Sequence, residues 1–496
     1  ALVQLEKAHE LDPHNLSTLL NLGSVYLSAG RSSAAEQCFE KVIEIDPTSA
    51  DGHFNLGLAM QGKDQFAAAE EHYTTALEHD PEALDIAICL ATLHANQGQQ
   101  QSCIDRSRQI LSLDAAHVPA RVLLLNALLA LGHLAEADEA LAQTPAQVAE
   151  HLQIQAIAGT LHARNGRLEQ AAKAYQAAII GGDTRAQTAL NLARCQLESG
   201  DGVVAVEVLR TLIAQHGDVA EAHALLGLAL RDSGDAAAAL AAYESALHIE
   251  PKNVHFMTAK AMLLYELERH EHAEQAIDAA ITIAPAVVFP HLLRLEKRIA
   301  NADIDGALRT CEQYLQRASG DCSMLAAKPF LLHALGQEQE AKTLLDYEAL
   351  LSASTIGAPD GFADLTAFNT ALVDHLLAHP SLSRHNAASK ATQHGQQSGN
   401  LLFGNRGPFE AFEQLLWQSA QRYVDELVRD PTHPFRANPP ALSALYAWAV
   451  VLGRAGHQTP HIHPTAWLSG VYYPKVPAIV EQTHSQQGWI EFGAAP

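Results

Sequence analysis

A register that returns every 34 residues limits this chain's folds more than any other feature. Leu22, Gly23, Tyr26, Ala35, Phe39 and Pro47 are answered by Leu56, Gly57, Met60, Ala69, Tyr73 and Pro81. The frame recurs at Leu226, Gly227, Leu230, Ala239, Tyr243, Ala246 and Pro251, and again at Ala261, Leu264, Ala273, Ile277, Ala280 and Pro285. Degenerate copies fill the intervals at Ala91 and Cys103, at Leu125 and Ala137, at Gly159, Ala171 and Tyr175, and at Ala193, Ala205 and Leu209. Beyond Pro285 it continues through Leu295, Ala307 and Cys311 to Pro329, Ala341 and Leu345. Small residues at contact points, with Pro at the close, predict two antiparallel helices per unit. Gly30, Gly62, Gly98, Gly132, Gly166, Gly200 and Gly234 mark the predicted turns. About ten such units, ending near Leu351, can bury their apolar faces only by stacking on one another. The expected product is a mainly α solenoid superhelix with one long groove.

This pattern resembles the tetratricopeptide repeat. The resemblance implies that the first helix of each unit faces the groove and that the groove holds a protein or peptide partner. Asn21, Asn55 and Asn191 each precede the Leu of a Leu-Gly or Leu-Ala pair. In resembling grooves such amides clamp a peptide backbone; the alternative is solvated helix-surface Asn. The chain opens on residues that read as the second half of a repeat, so it is expected to begin inside one.

Composition narrows the partners. The formal net charge is −24, which disfavours nucleic acid and anionic membranes, since both need clustered Lys and Arg. No apolar run approaches the roughly 20 residues needed to cross a bilayer. Six scattered Cys without a C-x-x-C pair predict small buried thiols in a reducing, cytoplasmic setting.

The repeat fades between Ser352 and Asp364, where Gly, Pro and Ser cluster, and this stretch is read as a linker or the first strand of the next domain. Three domain-level segments follow: an array over 1–351, a linker over 352–364, and a second domain over 365–496. In that domain a helix is predicted over Leu365–His379, capped by Asp364, with Phe368, Leu372 and Leu376 as its apolar stripe. Thr392–Ser398 reads as polar and turn-rich. A second helix is predicted over Phe409–Val428, then a strand over Leu445–Leu452 and a turn at Gly453–Gly456.

The chemistry concentrates after that turn. His461 and His463 lie two apart, so in an extended strand both project to one face and can offer two nitrogens to one point. Leu468–Tyr473 alternates as a strand, with Gly470 as a bulge or close backbone approach. The block 446–493, including His461-Ile462-His463-Pro464 and Leu468-Ser469-Gly470-Val471-Tyr472-Tyr473, resembles the iron(II)- and 2-oxoglutarate-dependent oxygenases. It is most similar to the family with an H-x-H-P…L-S-G-V-Y-Y signature.

The resemblance implies a double-stranded β-helix (jelly-roll), Fe(II) as metal and 2-oxoglutarate as cosubstrate. It makes His461 the proximal ligand, leaves His463 as either ligand or neighbour, and aims the Tyr473 phenol towards the oxoacid unless it is a half-buried strand aromatic. Glu491 is a carboxylate that can complete a triad or face solvent. The family's distal His and its 2-oxoglutarate-binding Arg have no match: His484 is the sole His after His463, and no Arg follows Arg454. The β-helix is therefore expected to be incomplete and the chain to be a fragment at both ends. The implied activity is hydroxylation coupled to succinate formation, with the array recruiting the substrate. The alternative is an adaptor whose jelly-roll is structural or inactive, and a cupin-like sugar-binding domain is a third reading of the same fold.

Overall fold

The computed structural model describes residues 2–379, 381–382, 391–402, 406–437, 439–459, 463 and 466–476. It is mainly helical. Ten helix pairs run from Leu16–Ser28 and Ser32–Ile45 to Cys322–Ala334 and Glu338–Leu345. The chain divides into two compact units, residues 1–161 with 177–183 and residues 162–176 with 184–496.

Within each unit the repeat frame is the core. The small residue of the second helix is fully buried at Ala35, Ala69, Cys103, Ala137, Ala171, Ala205, Ala239, Ala273 and Ala307. In several pairs the side-chain volumes are complementary. Where the first helix carries Gly, the second supplies a ring: a Cβ on Gly23 would stand 2.4 Å from Phe39, one on Gly57 2.6 Å from Tyr73, and one on Gly227 2.8 Å from Tyr243. The order reverses at Leu295 and Cys311, both buried in one cluster. Complementary sizes at these positions suit close packing.

The turns correct one sequence expectation. Left-handed backbone recurs every 34 residues, at Gly30, Asp64, Gly98, Gly132, Gly166, Gly200, Gly234, Glu268, Ala302 and Gly336. Gly62 is not in this series; its φ is −65°, and it ends the helix Ala50–Gln61. The frame position is Asp64, which accepts the left-handed conformation without being Gly. Helix starts carry their own signals, as at Asn15, Ser49 and Asp321, whose side chains accept the N–H groups of Thr18, Gly52 and Met324.

The C-terminal region packs around Phe368, Leu372, Leu376, Leu401, Phe409 and Phe412. The helix Leu365–Leu377 starts at Asp364, whose carboxylate accepts the Ala367 N–H at 2.8 Å, and it buries its expected stripe. The second helix, Phe409–Glu426, stops two residues short of the predicted end.

The strands depart further from expectation. Thr392–Gln397, read as turn-rich, is β1, and β2 spans Val450–Gln458 instead of Leu445–Leu452. They pair antiparallel from Thr392–Gln458 to Gln397–Val450. The predicted turn at Gly453–Gly456 is an irregularity inside β2, because the register slips between Gln393 and Gly395. Gly456 is needed there: a Cβ would come within 2.9 Å of the Gly453 N and 3.0 Å of the His394 O. Among the described residues the sheet has two strands.

This region is tied to the last repeats. The Tyr423 hydroxyl donates to the Leu350 carbonyl at 2.8 Å, His433 Nε2 lies 3.1 Å from the Leu344 carbonyl, and Arg436 pairs with Asp346. Among the described residues no helix is long and apolar enough to cross a membrane.

Candidate functional site

The site is built on residues 398–401 and 446–473. Residues 441–449 carry no regular strand, yet their backbone is fixed. Ser398 N–H donates to the Ala449 carbonyl at 3.0 Å and Leu401 N–H to the Ala447 carbonyl at 2.7 Å. The Ala447 and Ala449 N–H groups donate to Asn400 Oδ1 at 3.1 Å and Ser398 Oγ at 2.9 Å. Ala449 joins the core, and Tyr446 and Trp448, two apart, bring their rings together on another face.

His463 lies on that face. Its ring is 5.2 Å from the Trp448 ring, and Trp448 is 5.6 Å from Tyr446. Neither Trp448 nor Trp467 is a fully buried core residue: Trp448 is half-buried between Tyr446 and His463, and Trp467 meets the Tyr423 ring edge-on at 6.2 Å.

Residues 466–473 are not a strand among the described residues, and a Cβ on Gly470 would meet open space, so neither the expected strand nor the expected close approach is found. Two adjacent tyrosines divide the work there. Tyr472 donates its hydroxyl to Asn369 Oδ1 at 2.6 Å and packs its ring 5.2 Å from Phe412. Tyr473 turns away and is 50% exposed. Partial burial still raises its phenol above the usual range, so it is a protonated donor at neutral pH. Tyr472 was not singled out from sequence; its only signal was a place in an aromatic pair.

His461, Glu491 and His484 lie outside the described residues. Among the described residues no three His, Cys, Asp or Glu side chains converge on one point. His463 presents an imidazole, a donor type that first-row metals accept.

In the array, Asn21 is exposed beside Gln4, Ser24 and Ser28. Asn55 donates to the Asp51 carbonyl of its own helix at 2.8 Å. Asn191 accepts from Gln187 at 2.9 Å and Arg194 at 3.0 Å. Two of the three amides are thus already engaged within their helices.

Family comparisons agree with both halves. Models described as "TPR repeat" and "Tetratricopeptide repeat" match residues 23–64, 50–83, 122–187, 190–254 and 230–290. A family described as "Putative 2OG-Fe(II) oxygenase" matches residues 446–496. No curated protein matches the chain. Solved structures resemble it in part. The Cut9-Hcn1 hetero-tetramer of APC/C shares 17% identity at a TM-score of 0.37, covering 53% of this chain, which spans about half (52%) of that one. Pseudomonas aeruginosa pilF shares 20% over 42% of this chain and 94% of its own, at 0.37. YrrB, titled a TPR protein with an unusual peptide-binding site, shares 17% over 46% and 99%, at 0.30. The chain thus combines multiple tetratricopeptide repeats with a C-terminal segment that matches a 2OG-Fe(II) oxygenase family.

Proposed function

We propose that this protein is an iron(II)- and 2-oxoglutarate-dependent dioxygenase, a hydroxylase, whose array over 1–351 recruits a protein or peptide partner to the domain at 365–496 through the linker 352–364. The observation that carries this reading is the family match over 446–496, which contains both halves of the His461–His463 and Leu468–Tyr473 motif. In this reading His461 and His463 hold the metal. When bound, iron and 2-oxoglutarate supply the oxidising chemistry: O2 is consumed, the oxoacid becomes succinate and CO2, and a substrate C–H bond becomes C–OH. The exposed Tyr473 phenol donates a hydrogen bond to the oxoacid. Tyr472, anchored on Asn369 and Phe412, fixes the backbone that aims it. Asn21, with Asn55 and Asn191, contributes amide contacts to the partner. A cytoplasmic setting accords with six free cysteines, of which Cys195 and Cys311 are pushed up to about 11 and about 12 by burial.

The test is iron binding under anaerobic conditions, followed by O2-dependent succinate release, in the whole protein and in His461→Ala. The expected result is bound iron and succinate in the parent and loss of both in the variant. Succinate release that survives His461→Ala overturns the reading. Absence of iron binding in the parent favours the adaptor alternative.

A further inference from the structure

Tyr446, Trp448 and His463 form a row of rings that begins in solvent and ends at the motif histidine. Tyr446 is 60% exposed, whereas Trp448 and His463 are half-buried. An exposed tyrosine costs little by itself. Two aromatic rings held side by side on fixed backbone are less ordinary. Four hydrogen bonds from 398–401 hold this backbone, and none of them depends on the rings themselves. The backbone is therefore fixed without the rings, and the Tyr446 ring is left largely in solvent.

Their chemistry narrows the ligand. Tyr and Trp faces are electron-rich and attract a cation within about 6 Å. Elsewhere the chain uses such contacts internally, with Arg31 4.7 Å from the Tyr26 ring and Lys297 5.7 Å from the Tyr265 ring. Among the described residues no Lys or Arg covers Tyr446 or Trp448. The protein carries a net charge of −24, a field that favours cationic ligands.

We infer that the Tyr446–Trp448 row docks a lysine or arginine side chain of a peptide, setting that peptide beside His463. This deepens the dioxygenase reading and rests on it for the claim that the docked peptide is the substrate. The docking itself stands on the ring geometry. Two electron-rich faces admit the alkyl stem of a long side chain as well as its charged head. That combination selects Lys or Arg over a small cation.

The experiment measures binding of a lysine-containing hexapeptide and of its norleucine counterpart to the full chain by calorimetry, in the parent, Trp448→Ala, Trp448→Phe and Tyr446→Ala. Iron binding and peptide-independent succinate release are followed on the same preparations. The parent should prefer lysine about fivefold. Trp448→Ala and Tyr446→Ala should erase most of that preference, and Trp448→Phe, which keeps a ring, should retain part of it. Equal or tighter binding of the norleucine peptide overturns the proposal, as does a lysine preference unchanged in Trp448→Ala. Tyr446→Ala guards against misfolding, because its side chain is mostly in solvent. If lysine preference is present but iron and succinate are absent, the docking row stands and the dioxygenase reading falls. If iron and succinate are present without the preference, the docking row falls alone.

Discussion

The array and the C-terminal region use opposite ways of fixing a side chain. In the array a residue's partner is a neighbour in the frame: Gly57 meets Tyr73, and Gly227 meets Tyr243. In the C-terminal region partners lie far apart along the chain. Tyr472 reaches Asn369 across 103 positions, Arg436 reaches Asp346 across 90, and Thr392 meets Gln458 across 66. Local partners make a structure that is built in steps, each step stabilised by the last. Distant partners make one that forms only when the whole region closes, with a larger loop-closure cost.

The largest expected effect tests this contrast. Phe39 and Phe368 are both fully buried, so truncating either to Ala costs about 3–5 kcal/mol. Phe39→Ala should lower amide-exchange protection within residues 16–79 and spare residues 184–345. Phe368→Ala should loosen β1, β2 and residues 446–473 together. Equal spreading of the two defects, measured by hydrogen exchange, breaks the comparison.

A smaller effect separates the two adjacent tyrosines. Tyr472→Phe removes the hydroxyl that satisfies Asn369, at a cost of about 1 kcal/mol. It should raise exchange in 466–473. Tyr473→Phe should leave stability within about 0.5 kcal/mol, since its ring is half in solvent, and should raise the concentration of 2-oxoglutarate needed for turnover. A destabilised Tyr473→Phe would mean that the anchor and the ligand-facing residue are reversed.

The same contrast explains which parts were legible in sequence. The frame residues Ala35, Ala69 and Tyr73 announced themselves because packing repeats with the helix pair. Gly62 misled because it is a Gly two positions from the true turn residue, Asp64. Thr392–Gln397 carries no apolar alternation and includes a Gly; its backbone becomes a strand only because β2 lies beside it, which composition does not record. In the candidate site the motif spacing pointed to His461 and His463 and gave no sign of Trp448. What sets Trp448 beside His463 is the hydrogen bonding of 447 and 449 to 398–401, a tertiary relation. Tyr472 escaped notice for the same reason.

The turn series offers a finer test within the array itself. Ala302 has φ of 59°, and Gly98, at the same frame position, has φ of 74°. A left-handed L-residue costs about 1–2 kcal/mol, and Gly returns part of the difference in unfolded-state entropy. Ala302→Gly should therefore stabilise by about 1 kcal/mol, and Gly98→Ala should destabilise by a similar amount. Denaturant midpoints read both. Opposite signs would mean that the left-handed turn is not what holds the register.

The smallest expected effect is a pH dependence placed in the array alone. His53 and His72 meet through their Nδ1 atoms at 3.2 Å, and His53 Nε2 lies 3.2 Å from the Pro47 carbonyl. One Nδ1 must donate and the other accept, so protonating both turns the contact into repulsion. Burial, followed by the His53 charge, lowers the His72 pKa; Glu71 acts the other way, and the His79 ring stands 6.1 Å from His53 near Asp46. With its folded pKa below the unfolded value of about 6.5, His72 is less protonated in the folded chain. Its contribution is complete above about pH 6.5 and is lost as pH falls through the lower folded value. His72→Asn keeps a donor for His53 and cannot charge. Its melting temperature should fall less between pH 7 and 5 than the parent's, with the difference confined to residues 50–79 by hydrogen exchange. An identical pH slope in both proteins would leave the imidazole contact as packing only.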